Sequence, residues 1–227
     1  MGKLTKVKAI ELVFDWNLWP RCESGDLDST NISRMKDSLR AGLELPPVVV
    51  NKKDMRIVDG FHRTNAILSL YGDDAEISVE LVDYQNDGDI FLDSVRYNSR
   101  HGLPMSPKDK AHAFLKARKM KIPTPAIAEA LGMNVEKAKE FIERRTAKTK
   151  SGERIALPGG ALALSGKILT EDQEKFAKSA NGAMPSLNAR LLLNALKAEA
   201  VIFDAKTIKL LIDVKNEIER ILSEVAA

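Results

Sequence analysis

The stretch from Pro46 to Leu70, PPVVVNKKDMRIVDGFHRTNAILSL, restricts the fold more than any other part of the chain. Val48, Val49 and Val50 form a β-branched run behind two prolines, which reads as a strand. Asn51 to Met55 is a polar break, and Arg56, Ile57 and Val58 give a second short strand. Asp59-Gly60 then turns the chain into a helix with Ala66, Ile67, Leu68 and Leu70 as its apolar residues. His62 and Arg63 fall in the first turn of that helix. Free backbone N–H groups and the positive end of the helix dipole favour an anion there. Arg63 adds a planar fork suited to phosphate oxygens, and Thr64 a hydroxyl. The same spacing also fits an ordinary tight turn with Arg63 on the surface.

The rest of the chain sets limits on this reading. No run of about 18 apolar residues is present, so no membrane span is expected. Glu11 and Asp15 interrupt the apolar N-terminal segment, so Val7 to Phe14 reads as a first strand and not a signal peptide. One cysteine, Cys22, excludes an internal disulfide and fits the cytoplasm. The charge is uneven. Pro107 to Arg154 holds 13 Lys/Arg against 6 Asp/Glu, in a chain whose total is only +3. A basic middle within an otherwise acidic chain points to a polyanion such as nucleic acid, or to a solvated helical surface.

Further elements follow from caps and periodicity. Arg21, in Trp19-Pro20-Arg21, is a second candidate anion ligand. Asn31 or Ser29 is expected to cap a helix from Ile32 to Ala41. Glu76 to Tyr84 alternates as a half-buried strand. Asp89 to Asn98 is expected to be helical and to break at Asn98-Ser-Arg100-His101-Gly-Leu-Pro104. Asn98, Arg100 and His101 at that break are candidates for a second wall of the pocket, with helix capping the alternative role for His101. Ser106 and Pro107 start a basic helix. Next, Thr124 is expected to cap a short helix to Leu131, Gly132 to turn it, and Asn134 to cap a second helix to Arg145. Helix, glycine turn and helix match a helix-turn-helix or a plain helical hairpin. In the first case Thr124, Asn134, Lys137, Lys139, Arg144 and Arg145 are the candidate DNA-contacting residues. Residues 146–168 read as a linker rich in Gly, Ser, Lys and Pro. Thr170, Ser186 and Asp204 are expected to cap three closing helices. In the last, Leu211, Val214, Ile218, Ile221 and Val225 form a seam expected to pack against Leu191 to Leu196 or against another copy.

With those motifs in place, residues 7 to 145 resemble the ParB/sulfiredoxin superfamily, and ParB-like proteins within it. The resemblance rests on four features in order: WPR at Trp19, the helix ending at Gly42 before PPVVV, IVDGFHRTNA from Ile57, and NSRHGLPMSPKDKAHA leading into the helix-turn-helix. It implies a small mixed α/β ParB/sulfiredoxin-like domain, 1–104, and a helix-turn-helix domain, 105–148. A linker, 149–168, and a helical C-terminal domain, 169–227, would complete the chain. It also implies that CTP and Mg2+ bind the first domain and that two subunits close as a homodimer on DNA. Arg21, Asp59, Gly60, Phe61, His62, Arg63, Thr64, Asn98, Arg100 and His101 are then the nucleotide site, with Asn98 near the metal. The glutamate such proteins carry shortly before the arginine matched by Arg100 is absent; Arg96 and Tyr97 occupy that region. Two other functions stay open. Asp-Gly-Phe-His-Arg resembles the box of the superfamily's free-serine kinases, with Asp59 as base or metal ligand. A ParB-like interaction module with a vestigial pocket is the other. Sulfiredoxin chemistry is excluded because Phe61 stands where its cysteine belongs.

Overall fold

In the computed structural model the valine run is the centre of a sheet covered on both faces. Residues 2–21, 27–100, 104–179, 192–194, 196–198, 201 and 203–225 are described. The chain divides into two compact units, Met1–Gly182 and Ala183–Ala227.

In the first unit, β1 (Lys3–Lys8), β2 (Val48–Asn51), β3 (Ile57–Asp59) and β4 (Glu76–Val82) make one sheet in the order β1-β4-β2-β3. β1 pairs antiparallel with β4, β2 parallel with β4, and β3 antiparallel with β2. Successive side chains of a strand point to opposite faces. Val48, Val50 and Ile57 therefore enter one cluster with Phe61, Ile77 and Val79, while Val49 and Val58 enter the other. A continuous apolar run is what a strand buried on both sides requires.

The first strand is a correction. It covers Lys3–Lys8 and not Val7 to Phe14, because the chain turns at Ala9–Glu11, where Ala9 and Ile10 N–H bond to Ala75 and Asp73. Val13 then pairs beside Arg56, on the opposite edge of the sheet from β1. Arg56 donates to Asp15, Asp54 and Asp87 at 3.0, 2.8 and 2.6 Å, pinning this edge to the start of the third helix.

Helix α1 (Ser29–Arg40) is capped by Asp28, which accepts from Asn31 N–H at 2.9 Å, so neither Asn31 nor Ser29 is the cap. α2 (Phe61–Tyr71) follows β3 directly. α3 (Asp87–Arg100) runs past its expected end at Asn98. α4 (Pro107–Lys119) starts at Ser106 with a capping box to Asp109. α5 (Thr124–Ala130) and α6 (Val135–Arg144) are joined through Gly132 at φ +65°. Pro123, not Thr124, occupies the cap of α5. Ile127, Ala128, Leu131 and Ala138 pack with Val135 and Ile142 between these helices, as the apolar spacing predicts.

The helical part shares its core with the sheet. One cluster contains Val49 and Val58 of the strands, Phe91 of α3, Phe114 of α4, Ile127 of α5 and Ala138 of α6. The expected boundary at 104/105 is thus no break in the core. The expected linker is also a correction. β5 (Thr146–Lys148) and β6 (Arg154–Ala156) form an antiparallel hairpin. A 3-10 turn, Gly159–Leu164, and α7 (Glu171–Ser179) follow it. Ala147, Leu157, Ala161, Leu169 and Ala177 are buried together in a separate small core. Spaced small apolar residues, hidden among Gly and Lys, supply enough burial to order the segment.

In the second unit, α8 (Ala205–Val225) is capped by Asp204, which accepts from Thr207 N–H at 2.7 Å. Val214, Ile218 and Ile221 of its seam are 37 to 51% exposed. Leu192 and Leu193, read as intramolecular partners, are themselves 37% and 50% exposed. The seam is therefore open at these three positions, while Leu211 is half-buried. Leu191 and much of the helix expected from Ser186 lie outside them. No helix among the described residues is long and apolar enough to cross a membrane.

Candidate functional site

The site is built at the β3–α2 junction. Gly60 caps α2 in a left-handed conformation, φ +113°, that other residues rarely adopt. A Cβ there would also lie 2.9 Å from Arg63 Nη2 and 3.0 Å from Val48. The glycine lets the Arg63 guanidinium fold back over the turn. Its cap has no side chain to satisfy the first amides of α2, which by helix geometry lack internal partners.

A small open cavity, with about 70 Å³ of internal space, lies at this junction. It is lined by Arg21, Asp59, Gly60, Phe61, His62, Arg63 and Asn98 among the sequence candidates. Trp19, Asn31 and Met35 join them. Arg63 Nη2 donates to Asp59 Oδ2 at 2.7 Å. Its Nε is buried and has no hydrogen-bond partner. Arg21 Nε donates to Asn98 Oδ1 at 3.1 Å, Nη1 donates to the Pro104 carbonyl at 3.4 Å, and Asp109 stands 3.9 Å away. Two guanidiniums thus face one cavity.

Electrostatics follow from burial. Desolvation lowers the Arg21 pKa, and Asp109, Asp59 and Asp28 oppose the shift. Guanidinium groups stay protonated in proteins, so Arg21 is a cation at the cavity. His62 is held below its usual range, first by burial and then by Arg21. Its Nε2 accepts the Asp28 N–H at 3.0 Å, so the neutral imidazole with its proton on Nδ1 fits this position.

Several candidates fall elsewhere. Arg100 is exposed and does not line the cavity. The reason is the two extra helical residues of α3: two residues along a helix rotate by about 200°, so Asn98 and Arg100 point to opposite sides. Arg21, not Arg100, supplies the second cation. Thr64 is fully buried, with its hydroxyl unpartnered and away from the cavity lining, so it is not presented to a phosphate. His101 lies outside the described residues. Asn98 as a metal ligand is also corrected. Its Oδ1 receives Arg21, its Nδ2 donates to the Ser94 carbonyl, and the carboxylate lining the same cavity, Asp59, is held by Arg63. Two guanidiniums with one paired carboxylate do not fit a divalent cation, which takes free oxygen ligands. No cluster of three or more His, Cys, Asp or Glu suited to a metal occurs among the described residues.

On α6, Lys137, Lys139 and Arg144 are exposed. Asn134 caps the helix, accepting from Glu136 and Lys137 N–H, which commits its carbonyl. The Arg145 guanidinium lies 5.8 Å from the Phe141 ring. Thr124 is half-buried at the start of α5.

Lys116 lies on the basic helix that starts at Ser106, where a solvated lysine is expected. Its Nζ instead donates to the Trp16 and Trp19 carbonyls at 3.1 and 2.9 Å, tying α4 to the loop that carries Arg21. Asn31, expected as a cap of α1, and Met35 both line the cavity. The amphipathic pattern of α1 located that helix without showing which edge meets the cavity.

No protein-family model matches the chain. Over 70 residues it is 37% identical to the transcriptional regulator NovG of Streptomyces niveus. That match covers 31% of this chain and 21% of the regulator, so the chain spans about a fifth of that relative. Among solved structures, it is similar to a Pnob8-like ParB N-domain, with 17% identity and a TM-score of 0.39, covering 84% of this chain and 67% of that one. Truncated ParB of Caulobacter crescentus is similar in two states. The complex with CTP-gamma-S has 14% identity and a TM-score of 0.38, covering 78% of this chain and 86% of that one. The complex with the centromeric parS site has 14% identity and a TM-score of 0.42, covering 61% and 70%. These structures are of ParB proteins, the group that the sequence motifs resemble.

Proposed function

We propose that this chain is a ParB-like DNA-binding protein whose β3–α2 cavity takes the phosphates of a nucleotide, CTP in the first instance. One observation carries the reading: Arg21 and Arg63 converge on the same cavity, and Arg21 reaches out of it to Pro104 and Asp109 at the start of α4. A bound polyphosphate would draw on both guanidiniums through charge-assisted hydrogen bonds. It would also compete with the contacts that Arg21 makes to α3 and α4. Those helices share a core with α5 and α6, so the cavity is mechanically tied to the helix-turn-helix. Arg21, Gly60, His62 and Arg63 would hold the phosphates, while Asn98 positions Arg21. α6 would read DNA through Lys137, Lys139, Arg144 and Arg145. Mg2+ would have to arrive with the nucleotide, since the protein's own groups do not fit it. The match to a transcriptional regulator favours control of transcription over partition. A homodimer is the assembly this reading carries, with the open seam of α8 available to a second copy.

The small-molecule kinase reading is weaker, because the Asp59 carboxylate that would act as base is engaged by Arg63. The same pair favours the vestigial-pocket reading, since it satisfies the cation internally. Titration calorimetry with CTP, ATP and GTP, with and without magnesium, separates these readings. Saturable triphosphate binding that is lost in Arg63→Ala, with salt-dependent retardation of duplex DNA, supports the proposal. Absence of both heat and retardation at low salt overturns it.

A further inference from the structure

The helix placed to read DNA is electrically neutral. α6 carries Lys137, Lys139 and Arg144 against Glu136, Glu140 and Glu143. A helix lying between two rows of phosphates needs positive charge beside it, because neutralised phosphates supply most of the non-specific affinity. α4 is basic, but several of its cations are engaged. Lys116 holds backbone carbonyls of Trp16 and Trp19, Lys119 binds Glu153 at 2.5 Å, and Lys108 donates to the Lys178 carbonyl.

The hairpin after α6 differs. From Arg144 to Lys167 the chain has six Lys/Arg and one Asp/Glu, and that one, Glu153, is the partner of Lys119. Lys148 and Lys167 are exposed, and neither forms an ion pair among the described residues. They are neighbours, because Lys148 N–H donates to the Lys167 carbonyl at 2.9 Å. Three bonds lock this segment to the end of α6. Thr146 Oγ1 donates to Ile142, Ser165 Oγ donates to Glu143, and Leu157 N–H donates to Arg145, at 2.8, 2.7 and 2.8 Å. The core of Ala147, Leu157, Ala161 and Leu169 stiffens it from behind.

We infer that the β5–β6 hairpin and the turn carrying Lys167 form a wing that grips the sugar-phosphate backbone of duplex DNA beside the groove entered by α6. The inference rests on the DNA-binding reading above and adds the element that supplies its electrostatic affinity. Lys148 and Lys167 are the gripping cations, with Arg144 at the joint between helix and wing.

The test measures anisotropy of a labelled random duplex with the full chain at several salt concentrations. Each phosphate contact contributes roughly 0.9 to the slope of log affinity against log salt, so Lys148→Gln/Lys167→Gln is expected to flatten it by about 1.8 and weaken binding roughly tenfold or more. Lys148→Arg/Lys167→Arg restores both, and Lys206→Gln/Lys209→Gln in α8 leaves both unchanged. If the hairpin variant binds like the parent, the wing is wrong and DNA binding stands. An equal loss in the α8 variant also overturns the wing, because net charge would then explain the effect. If the parent chain binds no duplex at low salt, the DNA reading falls and takes the wing with it.

Discussion

Arg63 Nη2 donates to Asp59 Oδ2 at 2.7 Å across the β3–α2 turn, so the cation facing the cavity is already held by a carboxylate four residues earlier. An incoming phosphate must displace that carboxylate or share the guanidinium with it. Asp59→Asn removes the competing charge and keeps the shape. Triphosphate affinity is expected to rise by several-fold to tenfold, less than the roughly 1.5–3 kcal/mol of a full charged hydrogen bond, because the amide oxygen of the variant still accepts from Arg63. Titration of parent and variant under the same salt checks it. Weaker binding in Asp59→Asn would mean that the carboxylate orients Arg63 for the ligand and does not compete with it.

Arg21 and Arg100 make opposite predictions. Arg21 lies in the cavity with Asn98, whereas Arg100 is exposed on the far side of α3. Arg21→Ala should abolish measurable triphosphate binding, and it should destabilise the fold because the buried Asn98 Oδ1 loses its donor. Arg100→Ala should bind within about twofold of the parent, as exposed substitutions away from a site usually change little. Comparable losses in both would place Arg100 in the site after all.

The sequence made the centre legible and the flanks less so. The valine run and the Asp59-Gly60 turn each have a local cause, burial on two faces and a left-handed cap, so pattern alone located Arg63 and His62. Asn98 was found, but Arg100 was grouped with it because a helix end was placed two residues early. That small error reverses the direction of a side chain. The hairpin was missed for a different reason. Its strands are three residues each, and Ala147 and Leu157 owe their burial to α7 and the 3-10 turn, which a local window does not contain.

Gly60 is required twice, by its φ of +113° and by the closeness of Arg63 and Val48 to any added Cβ. Gly60→Ala should lose roughly 1–3 kcal/mol of stability from backbone strain. It should also weaken triphosphate binding by pushing the guanidinium out of place. Chemical denaturation and titration check the two effects. Unchanged stability would mean that the turn relaxes to another conformation.

His62 gives a pH signature. Its folded pKa is lowered from 6.5 by burial and by Arg21. The unfolded chain therefore takes up the proton first as pH falls. The stability tied to neutral His62 is complete above 6.5 and declines as pH drops from 6.5 through the folded value. Protonation also costs the Nε2 acceptor for the Asp28 N–H. Melting temperatures of the parent and His62→Gln, compared between about pH 5 and pH 8, should differ in slope only on the acid side. Parallel curves across that range would show that His62 does not titrate differently on folding.

Leu157 decides whether residues 146–168 are a folded element. Its side chain is fully buried with Ala147, Ala161, Leu169 and Ala177. A leucine in a flexible linker could be cut to alanine without effect on stability. One in a packed core loses its transfer free energy and leaves a cavity, so Leu157→Ala should cost about 2–5 kcal/mol. The small size of this core favours the lower part of that range, since its neighbours are mostly alanines and can close in. Hydrogen exchange adds a local readout. The Leu157 amide, bonded to the Arg145 carbonyl, and the Lys148 amide, bonded to Lys167, should be protected in the parent and exchange much faster in the variant. Fast exchange at both amides in the parent would return this segment to a linker, and would leave α6 without the support that its C-terminal end receives from Ser165 and Thr146.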